Sequence, residues 1–463
     1  MSSSPVVPLA RRIARTGPGA ALGRVAYVAA ARAASLRLGR LPAVEAVYLT
    51  GSVTRVRGSS PGYSDIDLVL AVDVPTLEDE LALRRDLARW LRRAHRAFPA
   101  FQHLDYIEGR DLELLRAHGD EWSLDVDSRW VCSAGVDGRA HPVPRPAFER
   151  RLARAQRTLR RWVKAGALLL DTGAPGDFAA RHRSARRLLS DLLAARGDME
   201  RRGPLEDKLA RAGEVGPAVH RVARCGPSAP IDVLLSASFE VLEALCTEVA
   251  ADWQSRLPQA APSHPPPSAL VDALAEVDRA SGAGPTHAIH RGGGRRTWLV
   301  VTPAPGPDPG VHLAAVRRWN ACRRERGLPE GLRPVPLGPA MARAAALLDP
   351  IPFVGMALAA TPDWAGRVAR PSDSDLDVLL RLQLAGALLR PQGRALRIET
   401  GPEEAREAVA TELALAEAGL ALRADPASLR SAPPPPMVWP DERARVRAMR
   451  EVRARLRSSL QSD

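Results

Sequence analysis

Two short apolar runs constrain this chain more than any other feature. The first, Val47-Tyr48-Leu49-Thr50-Gly51-Ser52, reads as a strand ending in a Gly-Ser turn. After a loop rich in Gly, Ser and Pro comes Tyr63-Ser64-Asp65-Ile66-Asp67-Leu68-Val69-Leu70, a second strand carrying two aspartates one residue apart. Side chains alternate faces along a strand, so Asp65 and Asp67 share a face while Ile66 and Leu68 point into a core. Two carboxylates held close together repel and raise each other's pKa unless a cation neutralises them. Hard oxygen donors suit Mg²⁺ or Mn²⁺, and Mg²⁺ ordinarily completes its octahedron with water and substrate phosphates. With no Cβ at Gly51 the backbone can approach a phosphate closely, and the Ser52 hydroxyl can donate to its oxygens.

A third carboxylate is expected one helix downstream. Thr76 followed by Glu78, Asp79 and Glu80 is a helix start, with Thr as cap and acids in the first turn. Leu81, Leu83, Leu87, Trp90 and Leu91 then recur at helical spacing, and arginines crowd the far end. The next run, residues 101–108, has the composition of a strand and contains Asp105. A right-handed β–α–β crossover would lay it beside the Asp65–Asp67 strand in one small sheet. His103 shares a face with Asp105, whereas Glu108 points the other way; both compete with Asp105 for the role.

These residues, in this order, resemble the DNA polymerase β-like nucleotidyltransferase superfamily, in particular its small bacterial members. The resemblance rests on the strand ending Gly51-Ser52, the Thr54-Arg55-Val56-Arg57-Gly58 segment after it, and Ser64-Asp65-Ile66-Asp67-Leu68. It implies an N-terminal core built on a small mixed sheet flanked by helices. It further implies Mg²⁺ held by Asp65, Asp67 and a third acid, here Asp105, and an NTP gripped by Gly51 and Ser52 with Arg55, Arg57 and Ser64 nearby.

The overall class read from the sequence is α+β, a core followed by mainly helical regions. With 463 residues the chain is long enough for two or three domains, and 45% hydrophobic with 26% charged residues is a globular composition. Net charge is +13, yet of 66 basic residues only Lys164 and Lys208 are lysines, which points to a coding bias before a nucleic-acid surface. Cys132, Cys225, Cys246 and Cys322 lie far apart without metal or disulfide spacing, so a reducing cytoplasm is expected. No apolar run reaches membrane-spanning length. The N-terminal stretch is rich in Arg and Ala like a transit peptide, but merges into an amphipathic segment ahead of the first strand and is read as structure.

Proline-rich breaks suggest a core over 1–143 with an edge strand near 122–132, a helical bundle over 144–257 and a linker at 258–267. A mainly helical region over 268–431 follows, with residues 286–290 and 297–301 able to pair as a hairpin, and then a basic amphipathic helix within 438–463. In the bundle, arginines at positions 150, 151, 154, 157, 160 and 161 read as a solvated face. Ser372-Asp373-Ser374-Asp375-Leu376-Asp377 echoes the Asp65–Asp67 motif, but no strand ending in Gly-Ser precedes it, and its apolar residues continue helically. It reads as a helix cap.

The expected activity is Mg²⁺- or Mn²⁺-dependent transfer of NMP from an NTP, ATP first, to a hydroxyl of a small molecule or protein. Low aromatic content argues against a single-strand nucleic-acid platform, which leaves an RNA end as a lesser acceptor. A dormant nucleotide-binding regulator, or an antitoxin-like interaction protein, is the rival class.

Overall fold

The computed structural model describes residues 17–50, 66–119, 131–135, 145–173, 178–197, 204–211, 216–254, 267–282, 285–290, 298–303, 308–348, 368–397, 402–425 and 438–461. Helix α1 (Gly17–Leu38) leads to strands β1 (Val44–Thr50) and β2 (Asp67–Val72), and α2 (Leu77–Ala97) connects to β3 (Asp105–Glu108). Next come α3 (Gly109–His118), β4 (Val131–Gly135), α4 (Ala147–Arg161), α5 (Phe178–Arg196), α6 (Leu205–Arg211), α7 (Pro217–Cys225) and α8 (Ile231–Val249). The remainder supplies α9 (Ser268–Ser281), β5 (His287–His290), β6 (Trp298–Pro303), α10 (Pro309–Glu325) and β7 (Val335–Leu337). Finally come α11 (Asp373–Ala387), α12 (Arg390–Ala395), α13 (Pro402–Ala424) and α14 (Glu442–Gln461). The architecture is α+β, and among the described residues no helix is long and apolar enough to cross a membrane.

The chain forms two compact units. One takes Met1–Pro144, Arg381–Leu420 and Pro434–Asp463; the other takes Arg145–Leu380 and Ala421–Pro433. The proline-rich breaks pointed to consecutive domains. Here the chain instead leaves the first unit near Pro144 and returns to it inside α11, because apolar residues of its C-terminal helices are needed to cover the sheet.

That sheet is mixed, in the order β3-β2-β1-β4. β1 pairs antiparallel with β2 and with β4, and β2 pairs parallel with β3, the β2–α2–β3 passage supplying the crossover that parallel neighbours require. Alternation then sorts the side chains. Val47, Leu49, Leu68, Leu70, Val72, Leu104 and Tyr106 form one core with Tyr27, Ala31, Ala34 and Leu38 of α1 and Leu83, Leu87 and Leu91 of α2. The opposite face, with Tyr48, Val69, Ala71 and Ile107, is covered by Leu384 of α11 and Leu388 just after it, Val409 and Leu413 of α13, and Met449, Val452 and Leu456 of α14. Helix α2 starts as expected. Thr76 Oγ1 accepts from the Asp79 N–H at 3.1 Å while the Thr76 N–H donates to the Asp79 carboxylate at 3.1 Å, a capping box.

In the second unit, α4 to α8 form a helical assembly around Leu152, Leu159, Trp162, Leu188, Leu192 and Leu242, all buried. The arginines of α4 are not simply a solvated face: Arg151 pairs with Glu248, Arg161 with Asp191, and Arg160 donates to the Leu348 carbonyl. β5 and β6 pair antiparallel, and β7 adds to β6 in parallel. At the start of α11, Ser372 Oγ accepts from the Asp375 N–H at 3.2 Å, with Asp373 and Asp375 in the first turn. The Asp375 carboxylate takes the Trp253 indole N–H at 2.7 Å, and Asp377 pairs with Arg423. The acidic run is a structural cap held by its neighbours.

Candidate functional site

β2 opens on Asp67, which pairs with Thr50 of β1, and β3 opens on Asp105, which lies opposite Val69 in the parallel ladder. Two residues back in that register, Asp67 has residue 103 as its neighbour. Asp67 and Val69 share a parity, as do His103, Asp105 and Ile107, so these polar side chains project from the face whose continuation is covered by the C-terminal helices. Leu68, Leu104 and Tyr106 anchor both strands in the opposite core.

His103 stands between the acids. Its Nε2 lies 3.2 Å from Asp67 Oδ1, with the His103 side chain 16% and the Asp67 side chain 29% exposed. Burial alone would lower the His103 pKa, but the hydrogen bond to Asp67 and the charges of Asp105 and Asp67 outweigh it and raise it above the ordinary histidine range. Arg397 works against that rise. When protonated, His103 carries a charge opposite to that of both acids.

A segment nearly 300 residues distant in sequence completes the surroundings. His103 forms an antiparallel bridge with Arg397, and the Leu104 N–H donates to the Leu396 carbonyl at 3.3 Å. Helix α12 packs on β3 so tightly that a Cβ at Gly393 would overlap the Asp105 carboxylate. Glycine at that position leaves the room in which the carboxylate sits. The sequence offered His103 only as a competitor for a ligand position and gave no sign of Gly393 or Arg397. Their approach is a long-range contact with no local pattern.

Of the other residues singled out in the sequence, Gly51, Ser52, Arg55, Arg57, Ser64 and Asp65 lie outside the described residues. Glu108 is buried on the other side of its strand from Asp105, engaged by Arg110 at 2.6 Å and Arg457 at 2.8 Å. Burial opposes its ionisation, but the Arg453 and Arg457 charges prevail and lower its pKa. It is a structural acid.

The donor chemistry of the pair fits a hard cation, since Asp67 and Asp105 offer carboxylate oxygens from one face. Among the described residues, no three His, Cys, Asp or Glu side chains gather closely enough to hold a metal by themselves. Comparison with known protein families, with curated proteins and with solved structures finds no match for the chain.

Proposed function

We propose that the chain is a metal-dependent nucleotidyltransferase of the DNA polymerase β-like kind, transferring NMP from an NTP such as ATP to a hydroxyl of a small molecule or protein. The observation that carries this reading is the placement of Asp67 and Asp105 on one face of adjacent parallel strands, in a sheet whose first strand leads into Gly51-Ser52. Asp65, Asp67 and Asp105 would hold Mg²⁺ or Mn²⁺, which when bound offsets the negative charge of the triphosphate. Gly51 and Ser52 bind and orient the phosphates, aided by Arg55, Arg57 and Ser64. Asp105 either completes the metal site or takes the proton of the acceptor hydroxyl as that oxygen attacks the α-phosphorus and pyrophosphate departs. His103 holds the Asp67 carboxylate in place through its Nε2 contact.

A second reading is favoured by that same contact. With the Asp67 carboxylate already engaged by His103 Nε2, the site is also suited to a nucleotide-binding regulator that performs no transfer. Titration calorimetry with ATP and Mg²⁺ on the wild type and on an Asp65→Ala/Asp67→Ala variant tests both. The enzyme reading expects Mg²⁺-dependent binding, lost in the variant, together with pyrophosphate release. Binding without release on any acceptor supports the regulator, and absence of binding refutes both.

A further inference from the structure

The first unit contains a cavity of about 910 Å³ whose lining includes neither Asp67 nor Asp105: seven arginines and only two carboxylates line it. Arg85, Arg89 and Arg92 rise from α2 at spacings of four and three residues, which puts them on one helical face. Arg406, near the start of α13, and Arg397 also line the cavity. At the base, Arg84 and Arg445 share the Glu442 carboxylate, at 3.3 and 3.1 Å.

The charges do not cancel. Asp86 is taken by Arg89, and Glu442 by Arg84 and Arg445. Among the described residues, Arg85, Arg92, Arg397 and Arg406 are left with no carboxylate partner. The Arg445 Nε is buried without a hydrogen bond. Burial, followed by the Arg84 charge, lowers the Arg445 pKa, and Arg406 adds to the repulsion. Like charges gathered in a concave wall focus a positive potential, and guanidinium forks match phosphate oxygens in geometry. Leu91, Leu396 and Ala405 supply an apolar lining beside them. The volume is that of a small-molecule site of nucleotide size.

We propose that this cavity binds a small molecule carrying a run of phosphates, held by Arg85, Arg92, Arg397 and Arg406 over the Arg84–Glu442–Arg445 base. The proposal is independent of the nucleotidyl-transfer reading, because neither Asp67 nor Asp105 takes part. Arg397, whose backbone bridges His103, joins the cavity to the carboxylate cluster.

The test is calorimetric titration of the full chain with inorganic tripolyphosphate in the presence of EDTA. Wild type is compared with Arg92→Glu, Arg406→Glu and, as a control on α1, Arg37→Glu. All three positions are exposed, so folding is checked by an unchanged thermal midpoint. The expected result is binding of one ligand per chain, weakened at least about tenfold by each cavity variant, as loss of one charge-assisted contact implies, and unchanged by Arg37→Glu. No binding, or equal weakening by Arg37→Glu, overturns the proposal. A single-stranded oligonucleotide that binds more tightly than tripolyphosphate through the same arginines also overturns it, in favour of a nucleic-acid surface.

Discussion

Replacing Glu80 with glutamine should loosen the first unit strongly. Glu80 is fully buried on α2 and accepts from the Tyr106 hydroxyl at 2.7 Å, from Arg450 at 3.1 Å and from Arg453. Arg453 is only 2% exposed, and its Nε and Nη1 have no hydrogen-bond partner. Its remaining acid is Glu108 at 3.4 Å, which is shared with Arg457 and Arg110. The substitution therefore strands a buried guanidinium, and breaking one side of a buried ion pair costs about 3–5 kcal/mol. Since a chain of two compact units need not unfold in one step, the readout is amide exchange in β2 and β3. The expected acceleration is about 10²–10⁴-fold for amides that exchange through opening of this unit. Replacing both partners, Glu80→Met with Arg453→Leu, should recover most of the loss, because Arg450 keeps the carbonyls of Val74 and Pro75 and Glu108 keeps Arg457. Exchange in Glu80→Gln within a few-fold of wild type, corresponding to less than about 1 kcal/mol, would refute the assignment of this network as the tie between α14 and the sheet.

Three further outcomes follow from single positions. Gly393→Ala should lower the thermal midpoint, because the added Cβ overlaps the Asp105 carboxylate, and should displace Asp105 and reduce nucleotidyl transfer; equal turnover in the variant would remove Asp105 from the site. Burial lowers the His312 pKa to about 4, so its neutral form contributes stability that is fully present above its unfolded value of about 6.5. That stability is lost as pH falls towards 4, for a total of about 3 kcal/mol, so the difference in unfolding free energy between wild type and His312→Phe should shift by that amount between pH 7 and pH 4. Asp171, 1% exposed and paired with Arg323 at 3.0 Å and Arg333 at 2.8 Å, should cost about 3–5 kcal/mol as Asp171→Asn, read as faster amide exchange in α10.

Local chemistry made much of the first unit legible. The cap at Thr76, the alternation in β1 and β2, the strand around Asp105 and the helix face of α14 each follow from a few consecutive residues. The Ser372 cap was legible for the same reason, since a serine with acids in the next turn satisfies helix N–H groups without any distant partner. What could not be read is which sheet face a helix covers. The stripe Val446, Met449, Val452, Leu456 and Leu460 requires an apolar surface but does not name Val69 and Ala71 as that surface. The same limit hid Gly393 and Arg397, whose positions against Asp105 and His103 are set by how residues 381–420 return to the core. The arginines of α2 looked like an ordinary charged helix end until α13 and α14 placed Arg406 and Arg445 in the same cavity lining.

The central claim is that Asp67 and Asp105 form one reaction site. Pyrophosphate release from ATP with Mg²⁺, measured for wild type, Asp67→Asn, Asp105→Asn and the double variant, tests it most directly. Groups acting as a unit are strongly non-additive, so each single variant should lose nearly all activity and the double variant should lose little more. Full release by either single variant would contradict the account.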